Sequence, residues 1–231
     1  MDEQPAPGGA TACVDHLRDI NDMPAFLVNY RRNRLIQLEG QPAKFLFHVV
    51  NGWVAGSAVL SSGSRQITAL YLPGDLIGVD DLFKAEISET LSAMSKTTLR
   101  CIDIEHVRDA IATDGALAVA ILRISVEKTA DVKAQLTSIG RTAATSRLAA
   151  FLASLAVRLG CKPHAMNYTI DVPLSQEDIG DAIGLTSVHV NRTLQRLVTD
   201  GLITRTSSYV TIVDLDRLRL CSDLPRQRNA E

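Results

Sequence analysis

The stretch Leu174-Ser-Gln-Glu-Asp-Ile-Gly-Asp-Ala-Ile-Gly-Leu-Thr-Ser-Val-His-Val-Asn-Arg-Thr-Leu-Gln-Arg-Leu197 reads as two short helices that meet at Gly184. Ser175 stands where a side-chain oxygen caps a helix N-terminus, and Glu177 and Asp178 put negative charge into the first turn, where the helix dipole favours it. Ile179, Ala182 and Ile183 share one face, the spacing of a stripe that packs on a partner. Gly184 follows the last apolar residue and accepts the left-handed conformation that closes many helices. Leu185 can fill the corner, and Thr186 caps a second helix running to about Asp200. In that helix Val190, Leu194 and Leu197 form the buried seam, which leaves Ser187, His189, Asn191, Arg192, Gln195 and Arg196 outward.

Two helices turned by a glycine corner let the second enter a DNA major groove while the first crosses the backbone. The outward side chains suit that task, because arginine forks onto a guanine edge, asparagine or glutamine pairs with adenine, and serine reaches phosphate or base. The alternative is a helical hairpin in an ordinary core with a solvated polar face, and the register of Gly180, Gly184 and the apolar positions argues against it. Gly201 to Arg205 and Tyr209 to Ile212 are β-prone runs around Thr206-Ser207-Ser208, a hairpin directly after the second helix. Such a wing would place Arg205, Ser207 and Ser208 near the sugar-phosphate backbone.

The composition narrows the class. A chain of 231 residues, 46% hydrophobic and 22% charged, is long enough for two modest cores. Its formal charge of -2 excludes a generic polycation, so nucleic-acid binding must come from a local basic face, chiefly Arg192, Arg196 and Arg205. No apolar run approaches the ~20 residues that span a bilayer, and the acidic, Pro- and Gly-rich start from Met1 to Ala10 lacks a signal-peptide pattern. The expectation is a cytoplasmic protein without membrane association. Cys13, Cys101, Cys161 and Cys221 are scattered and form no C-x-x-C pair, the pattern of isolated, partly buried thiols rather than metal ligands. No nucleophile elbow, P-loop, dinucleotide glycine fingerprint or H-E-x-x-H is present, which argues against an enzyme. No cofactor and no metal are predicted, and the effector is unassigned.

Along the chain, residues 1 to about 12 read as disordered, and Cys13 to Arg34 as one or two short helices broken at Pro24. Phe45–Val50 and Trp53–Leu60 read as a hairpin around Asn51-Gly52. Ser61 to Ser64 turns into a third strand, Arg65–Leu72. Pro73-Gly74-Asp75 turns the chain again before a short helical piece at Asp80–Phe83, and Leu91–Ile104 is β-like. Short strands between turn signals suggest a small antiparallel barrel or jelly roll. From Asp114 to Ile139 no proline intervenes, and Leu117, Ile121, Ile124, Val132, Leu136 and Ile139 recur at helical spacing, with Lys128 at an intermediate position. One long helix fits, best buried against a twin copy through Leu117, Ile121, Ile124, Lys128, Val132 and Leu136; the other reading packs it on its own barrel. Gly140 ends it, and Thr145–Leu159 forms the next helix. Arg147 and Arg158 receive no function.

Barrel, long helix and winged helix-turn-helix in this order resemble the Crp/Fnr superfamily of bacterial transcription regulators over roughly residues 35–212. The resemblance rests on Leu72-Pro-Gly-Asp-Leu-Ile-Gly78, the long helix, Thr145-Ser-Arg-Leu-Ala149 and the Leu174–Leu197 motif. The recognition-helix variant Thr-Ser-Val-His-Val-Asn-Arg is similar to FixK-like and related alphaproteobacterial branches. The implied fold is α+β: an N-terminal cyclic-nucleotide-binding-like antiparallel β-barrel (jelly roll), a long central dimerisation helix and a C-terminal winged helix-turn-helix. The implied segments are a flexible start (1–22), a sensor-like barrel (23–113), the dimerisation helix (114–140), the DNA-binding domain (141–221) and a tail (222–231). The implied partners are a second copy, double-stranded DNA carrying an imperfect palindrome, and RNA polymerase.

Residue by residue, the resemblance makes Arg192 the recognition-helix arginine and Ser187 another DNA-facing position. Val188 stands where many members have a base-reading glutamate; an aliphatic chain cannot accept from cytosine but can touch a thymine methyl. The implied operator therefore departs from the best-known consensus, with His189 and Asn191 as additional readers. In cyclic-AMP binders a glycine and a glutamate precede an Arg-Ser pair that holds the cyclic phosphate. Here Val79 follows Gly78, and Glu89-Thr90 stands in place of Arg-Ser. A carboxylate repels a phosphate, so control by cyclic AMP in the usual way is not expected. The alternative function is a sensor whose small-molecule or nucleotide ligand sets DNA affinity. Haem at His48 or His106, or redox sensing at a thiol, would rest on isolated residues that more often pack or face solvent.

Overall fold

The computed structural model describes residues 20, 22–61, 63–141, 143–206 and 209–222, with the side chains of 134–141 outside that description. The expected disordered start, Cys13, Ser207, Ser208 and the side chains of Leu136 and Ile139 lie outside the described residues. The chain divides into one unit ending at Ala130 and another beginning at Asp131.

Among the described residues the first unit is built on eight strands, β1 (Ala25–Tyr30), β2 (Leu35–Gln37), β3 (Phe45–Asn51), β4 (Val54–Val59), β5 (Arg65–Tyr71), β6 (Leu76–Ile77), β7 (Thr90–Ala93) and β8 (Thr97–Asp103). They pair antiparallel in two four-stranded sheets of order β1-β8-β3-β6 and β2-β7-β4-β5, the strand order of a jelly roll. Among the described residues no ladder joins the sheets, so the domain is a pair of sheets rather than a closed barrel. Phe47, Val49, Val54, Tyr71, Ile77, Leu91, Leu99 and Cys101 fill the space between them.

Three local expectations are corrected. Ala25–Tyr30 is a strand and not helix, because its backbone pairs along β8 from Ala25↔Ile102 to Tyr30↔Thr97. Asn51-Gly52 does not close a hairpin: β3 pairs with β8 and β6, whereas β4 pairs with β5 and β7, so the chain changes sheet there. Gly52 has φ +82°, and a Cβ on it would stand 2.4 Å from the Lys96 carbonyl oxygen, so the crossing packs against the β7–β8 turn. The β-like reading of Leu91–Ile104 divides into β7 and β8, and Asp103 then accepts from the Glu105 N–H to cap α1 (Ile104–Thr113). The turn at Ser61–Ser64 does join paired strands, with Val59 opposite Arg65.

The helix α2 runs from Gly115 to Arg141, through Gly140. Its Leu117 and Ile121 are 1% and 7% exposed, packed with Leu46, Leu76, Val79, Leu82 and Ile102, and Ile124 lies against the same cluster. Lys128 Nζ binds Asp80 Oδ2 at 2.7 Å and stands 5.2 Å from the Tyr71 ring centre. Of the residues expected to form the dimer seam, Leu117, Ile121, Ile124 and Lys128 thus contact the chain's own β-domain, while Val132 is exposed. The open apolar face of α2 is Val119, Leu122 and Val126, spaced three and four residues apart, followed by exposed Val132.

The second unit contains α3 (Ala144–Arg158), β9 (Met166–Asp171), α4 (Gln176–Ile183), α5 (Ser187–Thr199), β10 (Ile203–Arg205), β11 (Tyr209–Asp214) and α6 (Leu215–Cys221). Leu148, Leu152, Leu155, Ile179, Ile183, Val190, Leu194, Leu197, Leu215 and Leu218 are buried there. The wing is a three-stranded sheet of order β10-β11-β9, its third strand coming from a segment with no strong sequence signal.

Candidate nucleic-acid interface

The helix α4 is closed at both ends. Ser175 and Asp178 form a reciprocal capping box, with Asp178 N–H donating to Ser175 Oγ at 3.1 Å and Ser175 N–H donating to Asp178 Oδ2 at 2.9 Å. At the other end Gly184 takes φ +67°, and Arg147 of α3 donates to the carbonyls of Ile183 and Gly184, both at 3.2 Å. Those carbonyls would otherwise lack helical partners. Arg147 therefore supports the motif from 36 residues away, a spacing that linear patterns do not reveal.

The recognition helix α5 is divided lengthwise. Val190, Thr193, Leu194 and Leu197 are buried, whereas Ser187, Val188, His189, Asn191, Arg192, Gln195 and Arg196 are exposed, Val188 by 70%. Thr186 caps the helix by accepting from the His189 N–H at 3.3 Å, and its hydroxyl lies 3.2 Å from His189 Nδ1, which steadies the ring. Thr193 donates to the His189 carbonyl at 2.7 Å. Arg192 makes no hydrogen bond or ion pair among the described residues, so its guanidinium is free for an incoming acceptor. Arg196 stands 3.8 Å from Asp200, an exposed pair of little energetic weight.

The wing meets this face through Arg205, which is half-buried and donates to Asn191 Oδ1 at 3.1 Å. Gln176, the first residue of α4, donates to the same oxygen at 3.4 Å. No sequence pattern points to Gln176; the fold brings it beside Asn191 of α5.

In the β-domain the segment after β5 adopts the turn expected from Pro73-Gly74-Asp75. Leu72 N–H donates to Asp75 Oδ2 at 2.7 Å, Gly74 has φ +97° and Gly78 φ +94°. Glu89 lies across sheet β2-β7-β4-β5, where its carboxylate accepts from Thr68 Oγ1 at 2.8 Å and from the Tyr71 hydroxyl. A Cβ on Gly56 would stand 2.0 Å from Glu89 Oε2, so the carboxylate occupies the space a side chain at position 56 would need. Burial, followed by the Glu89 charge, pushes the Tyr71 hydroxyl well above its usual range, keeping it a donor. His48 is half-buried, and its pKa is lowered by burial and then by Arg100; His106 is exposed on α1. Cys101 and Cys161 are buried thiols, both raised by desolvation. No helix among the described residues is long and apolar enough to cross a membrane.

Residues 146–221 match the Crp-like helix-turn-helix domain and residues 27–114 the cyclic nucleotide-binding domain. Over 179 residues the chain is 31% identical to the nitrogen fixation regulation protein FixK of Azorhizobium caulinodans, covering 78% of this chain and 71% of that protein. It is 27% identical over 217 residues to electron transport regulator A of Shewanella oneidensis, covering 91% of this chain and 86% of the relative. The solved structure of FixK2 from Bradyrhizobium japonicum superposes with a TM-score of 0.80 at 27% identity, covering 88% of this chain and all of that one. With these relatives and this domain pair, the chain belongs to the Crp/Fnr superfamily, is FixK-like, and is a DNA-binding transcription regulator.

Proposed function

We propose that the chain acts as a homodimer on an imperfect palindrome, with α5 of each copy in one major-groove half-site. The observation that carries this reading is the division of α5: its apolar side is spent on the domain core, and its other side offers hydrogen-bonding groups to solvent. Arg192 is the principal base contact, and Ser187, Val188, His189, Asn191, Gln195 and Arg196 complete the face. Arg205, Ser207 and Ser208 contact the sugar-phosphate backbone. In this reading residues 23–113 are the sensor-like domain, 114–140 the dimerisation helix and 141–221 the DNA-binding domain. The twin copies meet through Val119, Leu122 and Val126, an apolar face that α2 leaves exposed. Regulation proceeds through contact with RNA polymerase. Operator selection from a random-sequence pool tests the DNA reading: a two-fold symmetric sequence supports it, and enrichment of no sequence overturns it.

Cyclic AMP in the usual pose is not the signal. The Glu89 carboxylate, at the position that the resemblance aligns with the Arg-Ser pair of cyclic-AMP binders, is already satisfied by Tyr71 and Thr68, so a cyclic phosphate there would meet charge repulsion and displace two hydrogen bonds. Calorimetric titration with cyclic AMP should show no micromolar binding, and micromolar binding that alters operator affinity would refute this.

A further inference from the structure

We propose that Arg205 and Gln176 determine which base Asn191 reads: by occupying its side-chain oxygen they leave it only donors, so it selects a keto base, guanine or thymine, over adenine. This rests on the reading of α5 as the DNA-contacting helix.

The orientation of the Asn191 amide is fixed by its partners. Arginine carries donors and no acceptor, so the group that faces Arg205 Nη2 at 3.1 Å must be the oxygen of Asn191. The contact thereby fixes which end of the amide is which, a choice that shape alone leaves open. A carbonyl oxygen has two lone pairs, and Gln176 Nε2 at 3.4 Å engages the second. The three side chains come from the start of α4, the middle of the recognition helix and the end of β10.

The consequence lies in the donor and acceptor code of the major groove. Asparagine pairs with adenine by accepting from N6 while donating to N7. With its oxygen already engaged twice, Asn191 cannot accept from N6 unless Arg205 or Gln176 withdraws. Among the described residues its two amide protons have no partner. Guanine presents the acceptors N7 and O6, and thymine presents O4, whereas cytosine presents only the N4 donor there. Adenine also presents the acceptor N7, but beside it stands the N6 donor, which would face the amide protons with no acceptor to meet it; a donor-only asparagine therefore favours the keto bases, guanine most because it offers two acceptors. Arg205 is then a positioning residue that acts on specificity through Asn191, in addition to any pull it exerts on phosphate. Its charge strengthens the hydrogen bond relative to that of a neutral donor.

The test is operator selection with the full chain, comparing wild type, Arg205→Met combined with Gln176→Ala, and Asn191→Ala. In wild type one base position per half-site is expected to enrich guanine or thymine. In the double variant, adenine at that position should gain by at least about fivefold relative to the keto bases, the lower end of what a bidentate contact discriminates. Asn191→Ala should flatten the preference at that position alone. Binding to a fixed non-specific duplex confirms that each variant is folded. An unchanged preference in the double variant, with affinity lowered uniformly and a salt dependence shallower by about one phosphate contact, would overturn the inference and make Arg205 a backbone contact only. An unchanged preference in Asn191→Ala would also overturn it. Both results leave the DNA-binding reading intact, which fails separately if wild type enriches no sequence.

Discussion

A Cβ placed on Gly180 would stand 2.4 Å from the carbonyl oxygen of Leu185, and the Leu185 N–H donates to the Gly180 carbonyl at 3.0 Å. The first helix of the DNA-binding motif thus touches the backbone of its own turn, and only a residue without a side chain permits that approach. Gly180→Ala should destabilise the second unit by ~1–3 kcal/mol through overpacking, since a backbone carbonyl has little room to yield. Urea unfolding measures this, and operator affinity should fall with it because the angle between α4 and α5 changes. Wild-type stability in the variant would show that the turn is compliant.

Arg192→Ala should weaken specific binding by about 1–3 kcal/mol, the discrimination expected of a bidentate base contact. Its guanidinium is exposed and unengaged among the described residues, so the substitution costs the free protein little. Titration of a selected operator checks this, and unchanged affinity would remove Arg192 from the interface.

Leu122→Asp on the open face of α2 should yield monomers that keep a folded β-domain. Ile121→Asp should act differently, because Ile121 is 7% exposed within the first unit and a carboxylate there would be buried without a partner. Loss of the β-domain's cooperative unfolding is expected for Ile121→Asp. Sedimentation of Leu122→Asp decides the interface, and a stable dimer would place it elsewhere.

Alkaline pH should weaken the first unit. Burial pushes the Cys101 thiol from 9.0 up to about 11, and Tyr71 in the same core is raised well above 10.0. Both groups stay protonated in the folded chain at pH values where the unfolded chain has released its protons. Their contribution is complete below pH 9 and lost as pH rises through the folded values, with Cys101 accounting for about 2–3 kcal/mol. Urea unfolding between pH 8 and 11 should show the decline, and Cys101→Ala should show a shallower one. A flat profile in wild type would contradict the buried-thiol description.

The DNA-binding motif was legible because its determinants are local: Ser175, Gly184 and Thr186 cap or close helices, and the apolar positions repeat within two turns. The β-domain was legible as a class but not in its pairing. Asn51-Gly52 has the composition of a tight hairpin, yet the strands on either side find partners in different sheets, a decision made by residues far along the chain such as Leu99 and Leu91. Ala25–Tyr30 became a strand for the same reason, its partner lying on β8. On α2 two apolar stripes share one period, and periodicity cannot say which is covered by the chain's own sheets. Leu117 with Ile121, and Leu122 with Val126, show the same four-residue spacing in the linear pattern. Contacts such as Arg147 with Ile183, or Gln176 with Asn191, leave no trace in spacing because they join separate helices.

The most direct measurement is the stoichiometry and symmetry of binding by the full chain on its selected operator, read by sedimentation and footprinting together. The expected result is two copies on one duplex, protecting two half-sites one helical turn apart and related by two-fold symmetry. A single copy on an asymmetric site, or protection without sequence preference, would contradict it.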